Sequence, residues 1–519
     1  MEGKRSFIKG AALLTIAALF VKILSAVYRV PFQNIVGDTG FYIYQQVYPF
    51  YGIAAGLAGA GFPVVISRLV AGADEKTKRT QIQTAFFMIS IMGIISFFFL
   101  FFSANWIAAA MGDEQLEPLI QLSAFFFLAM PYITVWRGAF QGEEEMIPTA
   151  SSQIAEQSTR VACILLFSLY IVFSGRSLYE AGFGAVAGSL LGMIASIIVM
   201  WLFSRKKKMF IPFQVDRNVM KIILIRGSAI CFSSLTLVLL QLADSFQLYI
   251  GLVTSGIPDD AAKEWKGIYD RGQPLLQLGV VAAVSIALTV VPLLSKAAKE
   301  KDNPEVSLYS QMALRISFSL GLAASSGLVS LMAPLNMMLF ETKDGSGVLA
   351  IFAVSIFFYS IMSTMSAIFQ GIGNDWIPAA GTAIALVFKW TMNALFIPIY
   401  GLYGASISTV VSLLAGVLFL SVMLKKHQKE PLFTGKFIFK TSMVSIVMAG
   451  VIFFAVRLLL PEEAGRVMNG VIAIGGTLFG ACLFFFFMVK WEVLNEDELR
   501  ILPFGSKIIH WTAKRNMRM

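Results

Sequence analysis

Long apolar runs, separated by short polar stretches, constrain this chain more than any other feature. Each run holds roughly 18 to 25 residues, the length that crosses a hydrocarbon core of about 30 Å at 1.5 Å of helix rise per residue. Backbone polar groups in lipid must be satisfied within their own segment, so such runs fold as helices. Composition agrees, because 57% of the 519 residues are hydrophobic and only 14% are charged, against about 25% charged in soluble domains. The expectation is an all-α polytopic membrane protein of about fourteen spans, which excludes secreted, nuclear and cytosolic enzymes. The least regular span is Asp375–Tyr400, where Lys389 interrupts the apolar run.

The net charge of +10 is explained by topology, with no need for nucleic acid. Lysine and arginine of short loops mark the cytoplasmic side, and they collect in every second loop: Lys4, Arg5 and Lys9; Lys76, Lys78 and Arg79; Arg205 to Lys208; Lys296, Lys299 and Lys301; Lys425, Lys426 and Lys429; Lys507, Lys514, Arg515 and Arg518. Opposite loops hold few, among them Arg176, Lys263, Lys266, Lys343 and Arg466. Both termini are expected in the cytoplasm of a bacterial cell membrane. The charged and apolar N-terminus reads as the first span, since no convincing small-residue cleavage site follows.

A short segment repeats. Phe140-Gln141-Gly142 and Ile147-Pro148 recur as Phe369-Gln370-Gly371 and Ile377-Pro378, and Gly184-Ala185 recurs as Gly404-Ala405. The offset of about 220 to 230 residues predicts a duplication: an N-lobe of spans 1–6 over residues 1–208 and a C-lobe of spans 7–12 over 209–430. Spans 13–14 over 431–490 and a basic tail over 491–519 follow. Two six-helix repeats of the same orientation around a central cavity is a transporter architecture. Glycine series such as Gly56, Gly59 and Gly61, or Gly184, Gly188 and Gly192, read as close helix packing, because no strand precedes them to build a phosphate loop.

Ionisable groups at membrane depth cost about 2.5–3.5 kcal/mol on insertion scales and normally face a cavity or a partner. The deep set is mostly basic. Lys22, Arg29, Asp244, Asp270, Arg271 and Lys389 are the candidates for a cavity, with Lys22 and Asp244 at matching depths of spans one and seven. Glu156 and Arg160, four residues apart, are expected to pair with each other, and Arg68, Arg137, Arg226 and Arg315 to snorkel. A cationic excess suits an anionic substrate, since guanidinium binds phosphate through a bidentate fork. Three cysteines inside apolar runs and two histidines in polar stretches offer no metal site, and no catalytic residue or cofactor is expected.

These features resemble the multidrug/oligosaccharidyl-lipid/polysaccharide exporter superfamily, in the polysaccharide-transporter branch that includes stage V sporulation protein B and the lipid II flippases. The most specific segments are FVKILSAVYRVPFQNIVGDTGFYIYQQVYPFYGIAAGLAGAGFPVVISRL and YDRGQPLLQLGVVAAVSIALTVVPLLSK. The resemblance implies that Asp270-Arg271 opens span eight with its arginine in the cavity, that Lys22 and Arg29 are the basic residues of span one, and that spans 13–14 form a groove for a long lipid tail. It departs at span two, where the lipid II flippases carry arginine after the proline and residues from Phe50 to Gly61 here are neutral. The implied activity is alternating-access flipping of lipid-linked oligosaccharide or polysaccharide precursors. The implied partners are a polyprenyl-pyrophosphate-linked saccharide, membrane lipids and envelope-synthesis enzymes. The alternatives are a cation-coupled multidrug exporter of the same superfamily, which needs a carboxylate-rich cavity, and a non-transporting envelope or sporulation scaffold.

Overall fold

The computed structural model describes residues 14, 17, 19–205, 214–300, 303–427, 432–461, 463–495 and 498, and of 282–292, 299 and 303 the backbone alone. The expected start of span one, part of the Arg205 to Lys208 run and nearly all of the basic tail lie outside these residues. The described chain is helical and contains no β-strand, as an apolar pattern with lipid on its outer surface requires. Among the described residues twelve helices are apolar and long enough to cross a membrane, against about fourteen expected. One of the twelve, Leu19–Val70, runs for 52 residues, more than twice what a bilayer needs, and is broken by non-helical geometry at Gly37. Large apolar side chains point outward along these helices, Phe102, Phe173 and Leu458 being at least 75% exposed. Lipid accommodates such a surface and water does not.

Packing divides the chain into two compact units, Met1–Asp270 with Lys389–Ala405, and Arg271–Phe388 with Ser406–Met519. These boundaries differ from the sequence halves at 208 and 209. In the first unit, helical residues from Leu19 lead into α1 (Arg29–Gly56), a π turn at Leu57–Gly61 and α2 (Phe62–Val70). Then come α3 (Glu75–Phe102), α4 (Ala104–Ala110), α5 (Glu117–Gly142), α6 (Met146–Phe173), α7 (Leu178–Ser204), α8 (Arg217–Ile222), α9 (Ser228–Ser234), α10 (Thr236–Thr254) and α11 (Asp259–Asp270). The second unit is built on α12 (Gly272–Lys299), α13 (Asn303–Phe340), α14 (Ser346–Gly371), α17 (Gly435–Leu459) and α18 (Arg466–Lys490). Helices α15 (Trp376–Tyr400) and α16 (Leu402–His427) pass from one unit to the other, with Lys389–Ala405 packed on the first. The span interrupted by Lys389 is thus one unbroken helix.

Glycines set the closest approaches. A Cβ at Gly188 would lie 2.9 Å from the backbone nitrogen of Ile164, and one at Gly192 would lie 2.7 Å from the carbonyl of Glu156, so α6 and α7 meet backbone to backbone. Gly56 and Gly61 make room for the side chains of Leu235 and Cys231, each 2.4 Å from where a Cβ would stand, the packing role expected of that series, while Gly59 has nothing within 4 Å. On α11, a Cβ at Gly267 would fall 2.0 Å from the Asp38 carbonyl oxygen of α1.

The two copies of the repeated segment are built alike. Phe140-Gln141-Gly142 ends α5 and Phe369-Gln370-Gly371 ends α14. Glu145 donates its N–H to the Phe140 carbonyl at 2.9 Å and Asn374 to the Phe369 carbonyl at 2.8 Å, each after a left-handed residue, Glu144 or Gly373. Both are Schellman stops, in which the chain leaves a helix by satisfying its last carbonyls. Ile147-Pro148 and Ile377-Pro378 then stand in the first turns of α6 and α15, where proline lacks only an N–H that would be unsatisfied anyway.

Candidate functional site

The first unit encloses two groups of charged side chains that water does not reach. Tyr44, Tyr48 and Tyr51 recur on one face of α1, and with Tyr28 they form an aromatic wall. Arg160, from α6, donates to the Tyr28 hydroxyl at 2.6 Å, the Tyr51 hydroxyl at 2.8 Å and Gln157 Oε1 at 3.2 Å, and lies 4.3 Å from the Tyr51 ring centre. Arg29 is 0% exposed and stands 4.4 Å from the Tyr48 ring centre. Among the described residues its three guanidinium nitrogens lack a well-formed hydrogen bond, though they lie in the field of the Tyr28, Tyr44 and Tyr48 hydroxyls. The amide of Gln45, also fully buried, has no hydrogen-bond partner at either end among the described residues.

Glu156 does not pair with Arg160. Its carboxylate accepts from Arg137 Nη2 at 2.7 Å, and Arg137 also donates to Ser152 and Ser196 at 3.0 Å. Arg137 is 3% exposed, so it is a buried partner where snorkelling was expected. A guanidinium reaching across from α5 gives one carboxylate oxygen a charge-assisted bond, and the Tyr51 hydroxyl donates to the other at 3.3 Å, whereas the local i,i+4 pair is worth only a few tenths of a kcal/mol. Arg315 is likewise engaged, with Glu498 at 2.9 Å and the Val493 carbonyl at 2.8 Å.

The second group joins α10, α11 and α15. Lys389 Nζ is 2.6 Å from Asp244 Oδ1 and donates to the Ala405 carbonyl at 3.2 Å. Asp244 accepts further bonds from Tyr269 at 2.9 Å and Asn393 at 3.0 Å. One turn away, Lys266 donates to both Asp270 oxygens at 2.7 and 2.6 Å. These two ion pairs feel each other's charge, and Asp270 lies also in the field of Arg29. Gln46 of α1 ties the group inward by donating to the Ser245 carbonyl at 3.0 Å.

Of the six sequence candidates, Arg29, Asp244, Asp270 and Lys389 are therefore buried within one unit. Arg271 is buried in the other, 3.3 Å from Asn336 Oδ1 and 5.1 Å from the Phe340 ring centre. Lys22 is exposed and has no ion pair among the described residues. Asp244, expected at the matching depth of span seven, is instead held by Lys389. Sequence reasoning missed the tyrosines, Asn393 and Lys266. The i, i+4, i+7 spacing of Tyr44, Tyr48 and Tyr51 and the i,i+4 spacing of Lys266 and Asp270 were the available signals. No group of three or more His, Cys, Asp or Glu that could hold a metal is found among the described residues.

A family model described as polysaccharide biosynthesis protein matches residues 7–298, more than half of the chain. The chain belongs to this family. Its relatives in Bacillus subtilis (strain 168) include the uncharacterized membrane protein YabM, 41% identical over 99% of this chain and 98% of that protein. The lipid II flippase MurJ is 21% identical over 96% and 97%, and stage V sporulation protein B 23% identical over 98% and 99%. Among solved structures, lipid II flippase MurJ in an inward closed conformation aligns with a TM-score of 0.66 at 17% identity, over 91% of this chain and 99% of that one. An inward-facing multidrug resistance MATE transporter of the MOP superfamily aligns at 0.62 and 18%, over 80% and 99%. The polysaccharide biosynthesis family member described here is thus a multi-pass membrane protein with a MurJ- and MATE-like fold, and its matched relatives include flippases.

Proposed function

We propose that this protein is an alternating-access flippase for lipid-linked saccharide precursors, with both termini in the cytoplasm. The observation that carries the reading is Arg29: a permanently charged group, wholly buried, with no carboxylate paired to it and no well-formed hydrogen bond among the described residues. A buried cation left in this way costs several kcal/mol, and an anionic ligand that accepts from it removes the cost. A pyrophosphate-linked sugar on a polyprenyl tail has such an anion, and its tail stays in lipid while the head crosses. Arg29 would take a phosphate within the first unit, Arg271 would offer a further buried guanidinium to anions in the second, and Lys22 would meet the head at the surface of span one. The Asp244–Lys389 and Asp270–Lys266 pairs would hold the helices that carry them, and the membrane potential would act on whatever charge moves.

The multidrug reading needs carboxylates free to hold an organic cation. Glu156, Asp244 and Asp270, the deepest acidic groups in the sequence, each already have a basic partner in Arg137, Lys389 and Lys266. The surplus beside them is positive. Reconstitution into liposomes with a polyprenyl-pyrophosphate saccharide tests the proposal: wild type should move it between leaflets and Arg29→Ala should lose at least ten-fold in rate while remaining monodisperse. Equal rates in the two proteins, or saturable binding of organic cations with no response to the lipid, would overturn it.

A further inference from the structure

Gly37 folds the long first helical stretch back on itself. Tyr28 and Tyr44 would stand about 24 Å apart along a straight helix, yet their hydroxyls meet at 2.9 Å, and the Phe32 and Phe41 ring centres lie 6.2 Å apart. Arg29 and Gln45 are equally far from Gly37 along the chain, so the two share a depth. The returning arm of α1 then packs against α10, in the same unit. Tyr42 meets Tyr249 with ring centres 5.2 Å apart, and Gln46 donates to the Ser245 carbonyl at 3.0 Å. A Cβ at Gly52 would lie 3.0 Å from Val238 and one at Gly56 2.4 Å from Leu235. Numbers rise on α1 as they fall on α10, the register of two antiparallel helices. Helix α1 lies in the first sequence repeat and α10 in the second, and transporters place substrate sites where repeats meet.

The seam between these helices is buried yet polar. Gln45, Gln46, Gln241 and Ser245 are each at most 2% exposed, and Gln241 stands one turn from Ser245. Among the described residues, both amide ends of Gln45, Oε1 of Gln46, Nε2 of Gln241 and Oγ of Ser245 have no hydrogen-bond partner. Buried polar groups are costly when unbonded, and nearly all find partners. Several such atoms at one helix contact point to a partner that enters from outside the protein. Its chemistry follows from theirs, since carboxamides and a hydroxyl are uncharged and present donors and acceptors together. A phosphate, which only accepts, would leave the Gln45 and Gln46 carbonyl oxygens unpaired, and a cation would leave the amide N–H groups unpaired. Sugar hydroxyls donate and accept, and match both. Water matches them as well, and the experiment separates the two.

We propose that the α1–α10 seam, closed in this structure, is a saccharide-binding surface whose amides hold the sugar of the cargo once the helices part, at the depth where Arg29 takes the phosphate. The proposal rests on the cargo class given above and adds the groups that recognise its neutral part. Native mass spectrometry of the full-length protein, titrated with undecaprenyl pyrophosphate and with the same lipid carrying N-acetylglucosamine, tests it. Wild type should bind the sugar-bearing lipid about ten-fold more tightly, the effect of one or two neutral hydrogen bonds. Gln45→Leu/Gln241→Leu should bring the two lipids to equal affinity with the bare lipid unchanged. Its melting temperature should not fall, since the amides it removes have no partner in the closed protein. Arg29→Ala should weaken both lipids by the same factor; no loss there would count against the anion site alone, and the sugar preference would still decide this proposal. Equal affinity for the two lipids in wild type, or a preference that survives in the leucine variant, would overturn it. Equal losses for both lipids, or a lower melting temperature in that variant, would do so too, as marks of amides that only space the helices or hold structural water. If the double variant does not fold, the wild-type preference and Gln45→Leu alone decide.

Discussion

Arg29 sets binding against stability. Its guanidinium is buried without a well-formed hydrogen bond among the described residues, so an apolar side chain of similar length removes a desolvation cost and keeps the contact with Tyr48. Arg29→Met should therefore raise the apparent melting temperature of the purified protein in detergent while abolishing lipid-linked saccharide movement in liposomes; a fall in melting temperature would show that the cation is held by the protein itself. Lys389 is the opposite case, because its charge is matched. Removing it leaves Asp244 buried and uncompensated, at a cost of about 3–5 kcal/mol, whereas Asp244→Asn/Lys389→Met should recover most of that loss. A thermal-unfolding double-mutant cycle measures the coupling, and additive effects would refute the pairing. The residues that were misread share one cause. The sequence shows neighbours on one helix, so it suggested Glu156 with Arg160, but Arg137 comes from another helix and no spacing announces it.

Helices were the most legible level, and their joints the least. Hydropathy located the spans, even across Lys389, since one charge in 25 residues of α15 does not outweigh the rest. The segment before Asp270 misled because it is polar overall: Lys263 and Lys266 read as part of an outer loop, yet it folds as α11 with Lys266 and Asp270 turned inward. Two glycines at joints separate two physical causes. Gly37 has φ +69° and nothing near its absent Cβ, so Gly37→Ala costs only conformational strain, about 1–3 kcal/mol. Gly267 has ordinary φ but no space, with the Asp38 carbonyl 2.0 Å from where Cβ would stand. Gly267→Ala must push α11 off α1 and should lower the melting temperature by clearly more than Gly37→Ala. The reverse order would refute the backbone contact.

At the scale of the whole molecule, the sequence yielded fold class and family, since these rest on composition and on long segments, and through charge counted over many loops it leads to the expectation of an even number of crossings. It did not yield the packing units, because Lys389–Ala405 joins the first unit through contacts distant in sequence. Reporter fusions test the even count: tags at the two termini should both be shielded from an external protease in intact cells, and cleavage of one alone would mean an odd number of crossings. The seam between α6 and α7 has a use of a different kind. Gly188 and Gly192 leave no side chains between the two backbones, so these helices have nothing to slide on and should travel as one beam. A pair of spectroscopic labels placed on them would keep a fixed separation whatever the rest of the protein does, giving an internal ruler against which every other movement can be read.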